Sequence, residues 1–402
     1  MKRLFLSLPL LFCLAAAWAQ DVPPCARLDS SALRFPGSRE PMERFAAKLA
    51  ACRENPDSVS VTIWHIGGSH VQAGWFPSRL RHNFDSLGRY RPAGRGYIFP
   101  YPLAHTNYDK SFVVGGEGEW MGSISANPNR KMPVSPEFGI MGVAAYTADT
   151  TAAFGLRLPG SFTRLHVMGD ASPEVLPIAI AGSDTLAFMP DTLLHGFVAD
   201  FPAAVDSVRI EPRLKDGESF TVTGLLPEIE GDTGLRYVST GANGARTTTW
   251  MARCPQFVQE LSLVHPDLVV LGLGINDSSC PAKDFKPEKF KANYRKLIDT
   301  IHEQAPDCAL LFITNNDSWR WSRRRMVHNG NGAAVARAMY ELAEEYDAAV
   351  WDLFDILGGN GSATEWREAG LMKKDRLHFT RDGYELLGDL LYKAIEEVCE
   401  VQ

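Results

Sequence analysis

The stretch VSVTIWHIGGSHVQAG, residues 59–74, decides how the chain is read. Val59 to Ile66 is β-branched and apolar, so it reads as a buried strand. It runs straight into Gly67-Gly68-Ser69, and Ala73 to Phe84 then has helical character. A serine between a buried strand and a helix stands exposed at the carboxyl edge of a sheet, with backbone N–H groups beside it. Ser69 is therefore the candidate nucleophile. The plainer alternative is a tight turn that caps a helix.

Working outward, the same texture recurs. Asp267 to Leu273, Ala309 to Thr314 and Ala348 to Leu353 read as short buried strands. Helical stretches lie around Glu288 to Ala305, Ala333 to Tyr346 and Asp382 to Glu397. Short apolar strands alternating with helices predict an α/β fold, a parallel sheet covered on both faces. Between about 107 and 234 the texture changes. Ala153 to Leu158, Arg164 to Val167, Val205 to Ile210 and Phe220 to Thr223 read as short strands separated by Gly, Pro, Asp and Ser. That run predicts a β-sandwich-like domain, inserted because α/β texture flanks it on both sides.

The far end of the chain supplies partners for a nucleophilic serine. Asp375 precedes His378 by three residues, so one turn lets the carboxylate orient the imidazole as a general base. Gly274-Ile275-Asn276-Asp277 follows a strand and offers the Asn276 amide. Gly241-Ala242-Asn243-Gly244-Ala245 offers a glycine N–H in a loop. Both are candidate oxyanion donors.

Taken together, these segments resemble the four blocks of the SGNH (GDSL-type) hydrolase superfamily. The serine block resembles Gly67-Gly68-Ser69, the glycine block Gly241 to Ala245, the asparagine block Gly274 to Asp277, and the last block Asp375 to His378. The resemblance covers about 57–106 and 235–399. It implies a three-layer α/β/α flavodoxin-like fold and ester hydrolysis. It assigns Ser69 as nucleophile, His378 as base and Asp375 as its orienting acid. The Ser69 N–H, the Gly244 N–H and the Asn276 amide then form the oxyanion hole. One departure is Gly68, where the family usually has Asp. The arrangement is also similar to the peptidoglycan O-acetylesterases, which carry an inserted carbohydrate-binding-like β-domain.

That resemblance implies an O-acetylated glycan as partner and a serine esterase that removes O-acetyl or short acyl groups from a carbohydrate polymer. A glycan O-acetyltransferase and a decayed glycan-binding protein are the alternatives. The segment Arg95 to Pro102 and Trp75, Trp319, Trp321 and Trp366 are candidate sugar-facing aromatics, with core packing as the other reading. Arg320 and Arg323 to Arg325 form a basic cluster suited to carboxylates, a solvated turn being the alternative.

The 402 residues are 45% hydrophobic and 22% charged with a net charge of −7, an ordinary globular composition. An acidic chain does not predict nucleic-acid binding. No metal-ligand spacing is present, and no cofactor is expected. Lys2 and Arg3, the apolar run Leu4 to Ala17 and Ala17-Trp18-Ala19 read as a cleaved export signal over 1–19. A periplasmic or secreted protein without stable membrane insertion is then expected. The hydrolase parts are 20–106 and 235–402, around the insert at 107–234. Six cysteines follow the leader, and the sequence leaves both disulfides and free thiols open.

Overall fold

The apolar runs of the α/β pattern form strands whose two faces are both buried. The computed structural model describes residues 22–86, 88–108 and 110–400, so the leader expected over 1–19 lies outside the described residues. Twelve elements carry the argument. They are β1 (Leu33–Arg34), α1 (Glu40–Glu54), β2 (Ser60–Gly67), α2 (Ser69–Gln72), α3 (Trp75–Ser86), β3 (Gly234–Gly241), β4 (Leu268–Gly272), α4 (Pro287–Gln304), β5 (Ala309–Ile313), α5 (Gly332–Glu345), β6 (Ala349–Trp351) and α6 (Arg381–Glu400).

The central sheet has the order β1-β6-β5-β4-β2-β3. β1 pairs antiparallel with β6, and the remaining neighbours are parallel. Counted without β1, the parallel strands follow the order 2-1-3-4-5, the flavodoxin-like arrangement. Alternate side chains sort to two cores. Val61, Ile63, Val270, Leu311 and Trp351 face α1, α3 and α6. Trp64, Ile66, Val269, Leu271 and Phe312 face α4 and α5. Period-2 alternation with both faces apolar is what a sandwiched parallel sheet requires. Arg79 on α3 clamps Asp389 on α6 through two hydrogen bonds of 2.5 and 2.9 Å.

Strands between 113 and 228 build two further sheets. One has seven strands around a long pair, Ala153–Met168 and Gly196–Glu211; the other joins Met121–Ile124, Val143–Thr147 and Phe220–Val222. The long pair departs from the sequence reading, which splits the first strand around Pro159 and finds only the second half, Val205 to Ile210, of the second. Register shifts between Asp200, Val205 and Ser207 absorb the Pro159-Gly160 and Pro202 stretches, so the strands bulge and continue. These sheets share one apolar cluster with the α4/α5 face, from Phe154 and Phe220 to Trp64 and Leu297.

Two alternatives left open by the sequence are decided. Tyr97, Ile98, Phe99 and Tyr101 are buried, as is Trp366, whose indole N–H bonds Leu357 O. They pack in the core. The six cysteines after the leader are all free thiols, one of the two possibilities the sequence left open. Among the described residues, no helix is long and apolar enough to cross a membrane.

Candidate active site

Three strand ends converge where the strand order reverses. β2 leads to Ser69, its neighbour β3 to Gly241–Ala245, and its other neighbour β4 to Asn276. In open α/β sheets the crevice at this switch point is where ligands bind. Asp375 and His378 come from the loop before α6.

Ser69 is the first residue of α2, a four-residue stub that ends near Gly74. So short a helix offers free N–H groups rather than a macrodipole. The Ser69 hydroxyl donates to His378 Nε2 at 2.8 Å, and His378 Nδ1–H donates to Asp375 Oδ2 at 2.8 Å. Asp375 Oδ1 accepts the backbone N–H groups of Leu377 and His378, each at 3.0 Å. Burial opposes its ionisation. The bonds from the His378 ring and the two N–H groups outweigh that and hold it well below the usual carboxylate range. Such a relay can take the serine proton and stabilise the imidazolium that results.

The oxyanion candidates lie on loops braced by side chains that the sequence reading did not single out. Gly244 has φ +80°, a left-handed conformation that favours glycine. Gln72, buried on α2, accepts the Asn243 N–H at 2.6 Å and donates to Thr106 Oγ1 at 2.8 Å. It thereby fixes the residue before Gly244 to the helix that carries Ser69. Asn276 Nδ2 donates one hydrogen to Ala245 O at 2.9 Å, leaving its second for another acceptor. Asp277 accepts both the N–H and the hydroxyl of Thr247, closing the loop from the other side. Burial raises the Asp277 carboxyl above its ordinary value, against those bonds.

At Gly68 the serine turn and the asparagine loop come close. A Cβ there would sit 3.3 Å from Asn276 Nδ2, closer than a comfortable contact. The glycine lets the asparagine loop approach the serine turn.

Other neighbours are held neutral. Burial pushes the His70 imidazole down to about 3, and the adjacent His378 adds to the effect. His70 Nδ1 pairs with Tyr384 Oη at 2.8 Å, and its ring lies 5.5 Å from that of His378. Asn316 Nδ2 donates to Leu377 O at 3.2 Å, supporting the loop from below. Gln72 and Asn316 left little trace in the sequence, because an isolated amide acquires its role only through folding. Among the described residues, no group of three or more His, Cys, Asp or Glu could hold a metal ion.

Residues 217–386 match the GDSL-like lipase/acylhydrolase family. That span contains the glycine, asparagine and Asp-His segments; Ser69 precedes it. No curated protein matches the chain. Among solved structures it is similar to a peptidoglycan O-acetylesterase, with TM-score 0.70 and 20% identity over 92% of this chain and 99% of that one. It also overlaps an acetyl xylan esterase, at TM-score 0.32 and 21% identity over 40% of this chain and 81% of that one. A family two carbohydrate esterase from Cellvibrio japonicus gives TM-score 0.29 and 10% identity, over 72% and 99%. Only the first overlays well enough to show a common fold. The chain therefore carries a GDSL-like lipase/acylhydrolase segment over 217–386 and shares its fold with that O-acetylesterase.

Proposed function

We propose that the protein is an exported serine esterase that removes O-acetyl or other short acyl groups from a carbohydrate polymer. The observation that carries this reading is the continuous relay from Ser69 through His378 to Asp375. The fold shared with a peptidoglycan O-acetylesterase supports a glycan as the alcohol side of the ester.

Ser69 Oγ attacks the acyl carbonyl while His378 Nε2 takes its proton. Asp375 keeps Nδ1 protonated, so Nε2 is the free acceptor. Negative charge gathers on the former carbonyl oxygen, where the Ser69 and Gly244 N–H groups and the Asn276 amide donate to it. The tetrahedral species collapses, and His378 passes the proton to the departing sugar oxygen. Water then enters; His378 takes its proton and the hydroxyl adds to the acyl carbon, and His378 returns the proton to Ser69 Oγ as the carboxylic acid departs. The strands between 113 and 228 contain none of these groups, and their part is to hold polymer beside the site.

The test is acetate release by purified protein from O-acetylated peptidoglycan and acetylated xylan, beside p-nitrophenyl acetate. Release from at least one polymer is expected. Hydrolysis of long-chain acyl esters with none from any acetylated glycan would replace this reading with a lipase.

A further inference from the structure

A two-stranded arm stands beside the catalytic loop, and the reaction as described does not use it. Trp319–Ser322 pairs antiparallel with Arg325–His328 in the register Trp319 to His328 and Trp321 to Met326. Its root is fixed. The Trp319 N–H donates to Arg376 O at 3.0 Å, two residues before His378, and the Arg376 guanidinium lies 4.4 Å over the Trp319 ring. His328 Nε2 bonds the buried Asp317 at 2.6 Å. Alternation puts Trp321 on the same face as Trp319, about 7 Å farther from the root. There it is 71% exposed.

The tip is unusual. Its two turn residues are Arg323 and Arg324, with φ of +45° and +70°. A two-residue turn with positive φ at both positions favours Asn-Gly, and an arginine pair holds it at a cost in strain. Such strain tends to persist where function requires it. Arg323, Arg324 and Arg325 are exposed, and none has a carboxylate partner among the described residues. They concentrate positive charge in a chain of net charge −7. A bare indole with unpaired guanidinium groups at its side matches a sugar ring bearing or adjoining a carboxylate. The ring stacks on the indole, and the carboxylate takes paired N–H donors.

We infer that this arm, residues 319–328, is a binding subsite for carboxylate-bearing glycan, with Trp321 as stacking platform and Arg323 to Arg325 as the anion-binding tip. The inference deepens the esterase reading and rests on it for the glycan, but not for the charge. An acidic polymer on the arm is held next to His378, so the subsite selects acidic over neutral substrates at a distance from the reacting bonds.

The test uses full-length protein carrying Ser69→Ala, so that nothing is turned over, and measures affinity for oligogalacturonate, for a muropeptide with free stem carboxylates and for neutral xylo-oligosaccharide. Binding of one or both acidic probes should exceed that of the neutral one by about tenfold or more and weaken with salt. The two acidic probes separate a ring carboxylate from a peptide one. Trp321→Ala and the triple change Arg323→Asn, Arg324→Gly, Arg325→Ser should each remove most of that preference. The triple change installs a favoured turn, so its fold is retained, which an unchanged Tm checks. With Ser69 restored, both sets should leave p-nitrophenyl acetate turnover within about twofold, since neither touches the relay. Equal affinity for acidic and neutral probes, or a preference untouched by both sets, would overturn the inference. The esterase reading fails separately, by absence of acetate release from any glycan.

Discussion

At the residue scale, the proposed chemistry rests on groups that stand out in sequence and on others that become legible only in space. Ser69, Asp375 and His378 stand out because a strand-turn-helix serine and a short Asp-His spacing are local patterns. The structure then joins them across 309 and 3 residues of chain. Gln72 is different. It is one amide among many until the fold sets it between the serine helix and the glycine loop. If it positions Gly244, Gln72→Leu leaves the Asn243 N–H unpaired and the loop free to drift from the oxyanion. Its kcat for p-nitrophenyl acetate should fall about tenfold or more with KM little changed, because the donor matters most as charge develops. Gln72→Glu keeps the acceptor for Asn243 and should recover part of the loss. A rise in KM alone would show instead that Gln72 shapes ground-state binding.

At the element scale, the parallel strands and main helices were legible because buried strands are continuous apolar runs and amphipathic helices repeat every three to four residues. α1 was not picked out, although Met42, Phe45, Ala46 and Leu49 form a helical stripe. Of the paired 16-residue strands, one was split around Pro159 and the other found only beyond Pro202, since a bulge that tolerates proline is set by the partner strand rather than by local sequence. The strands between 113 and 228 also proved to be less separable than the texture change suggested. Trp250 Nε1 donates to Ile140 O at 2.8 Å, and the two regions share one apolar cluster. Excising 107–234 with a short bridge would expose that cluster. The shortened chain should therefore show no cooperative thermal transition. A sharp transition in the excised protein would mean that the hydrolase parts fold by themselves.

At the scale of the whole molecule, the seam between these regions carries a titratable group. Glu260 is fully buried, accepts the Ile140 N–H at 2.7 Å, and faces Gly139 so closely that a Cβ there would overlap its carboxyl. Burial pushes its carboxyl up to about 8 from an ordinary 4.5, with the Ile140 N–H opposing. Between those values the folded protein keeps a proton that the unfolded chain has released. Its stability should therefore decline as pH rises from about 4.5 to 8. Glu260→Gln cannot ionise and should be the more stable form at pH 8, with the Tm gap closing towards pH 4.5; parallel curves across that range would contradict the assignment. The account as a whole depends on one covalent event at the sheet's switch point. The most direct measurement is the initial rate of acetate release from p-nitrophenyl acetate by wild-type protein and by Ser69→Ala, both shown to be folded. A loss on the order of 10³ or more is predicted for the variant, whereas wild-type turnover without the Ser69 hydroxyl would contradict the account.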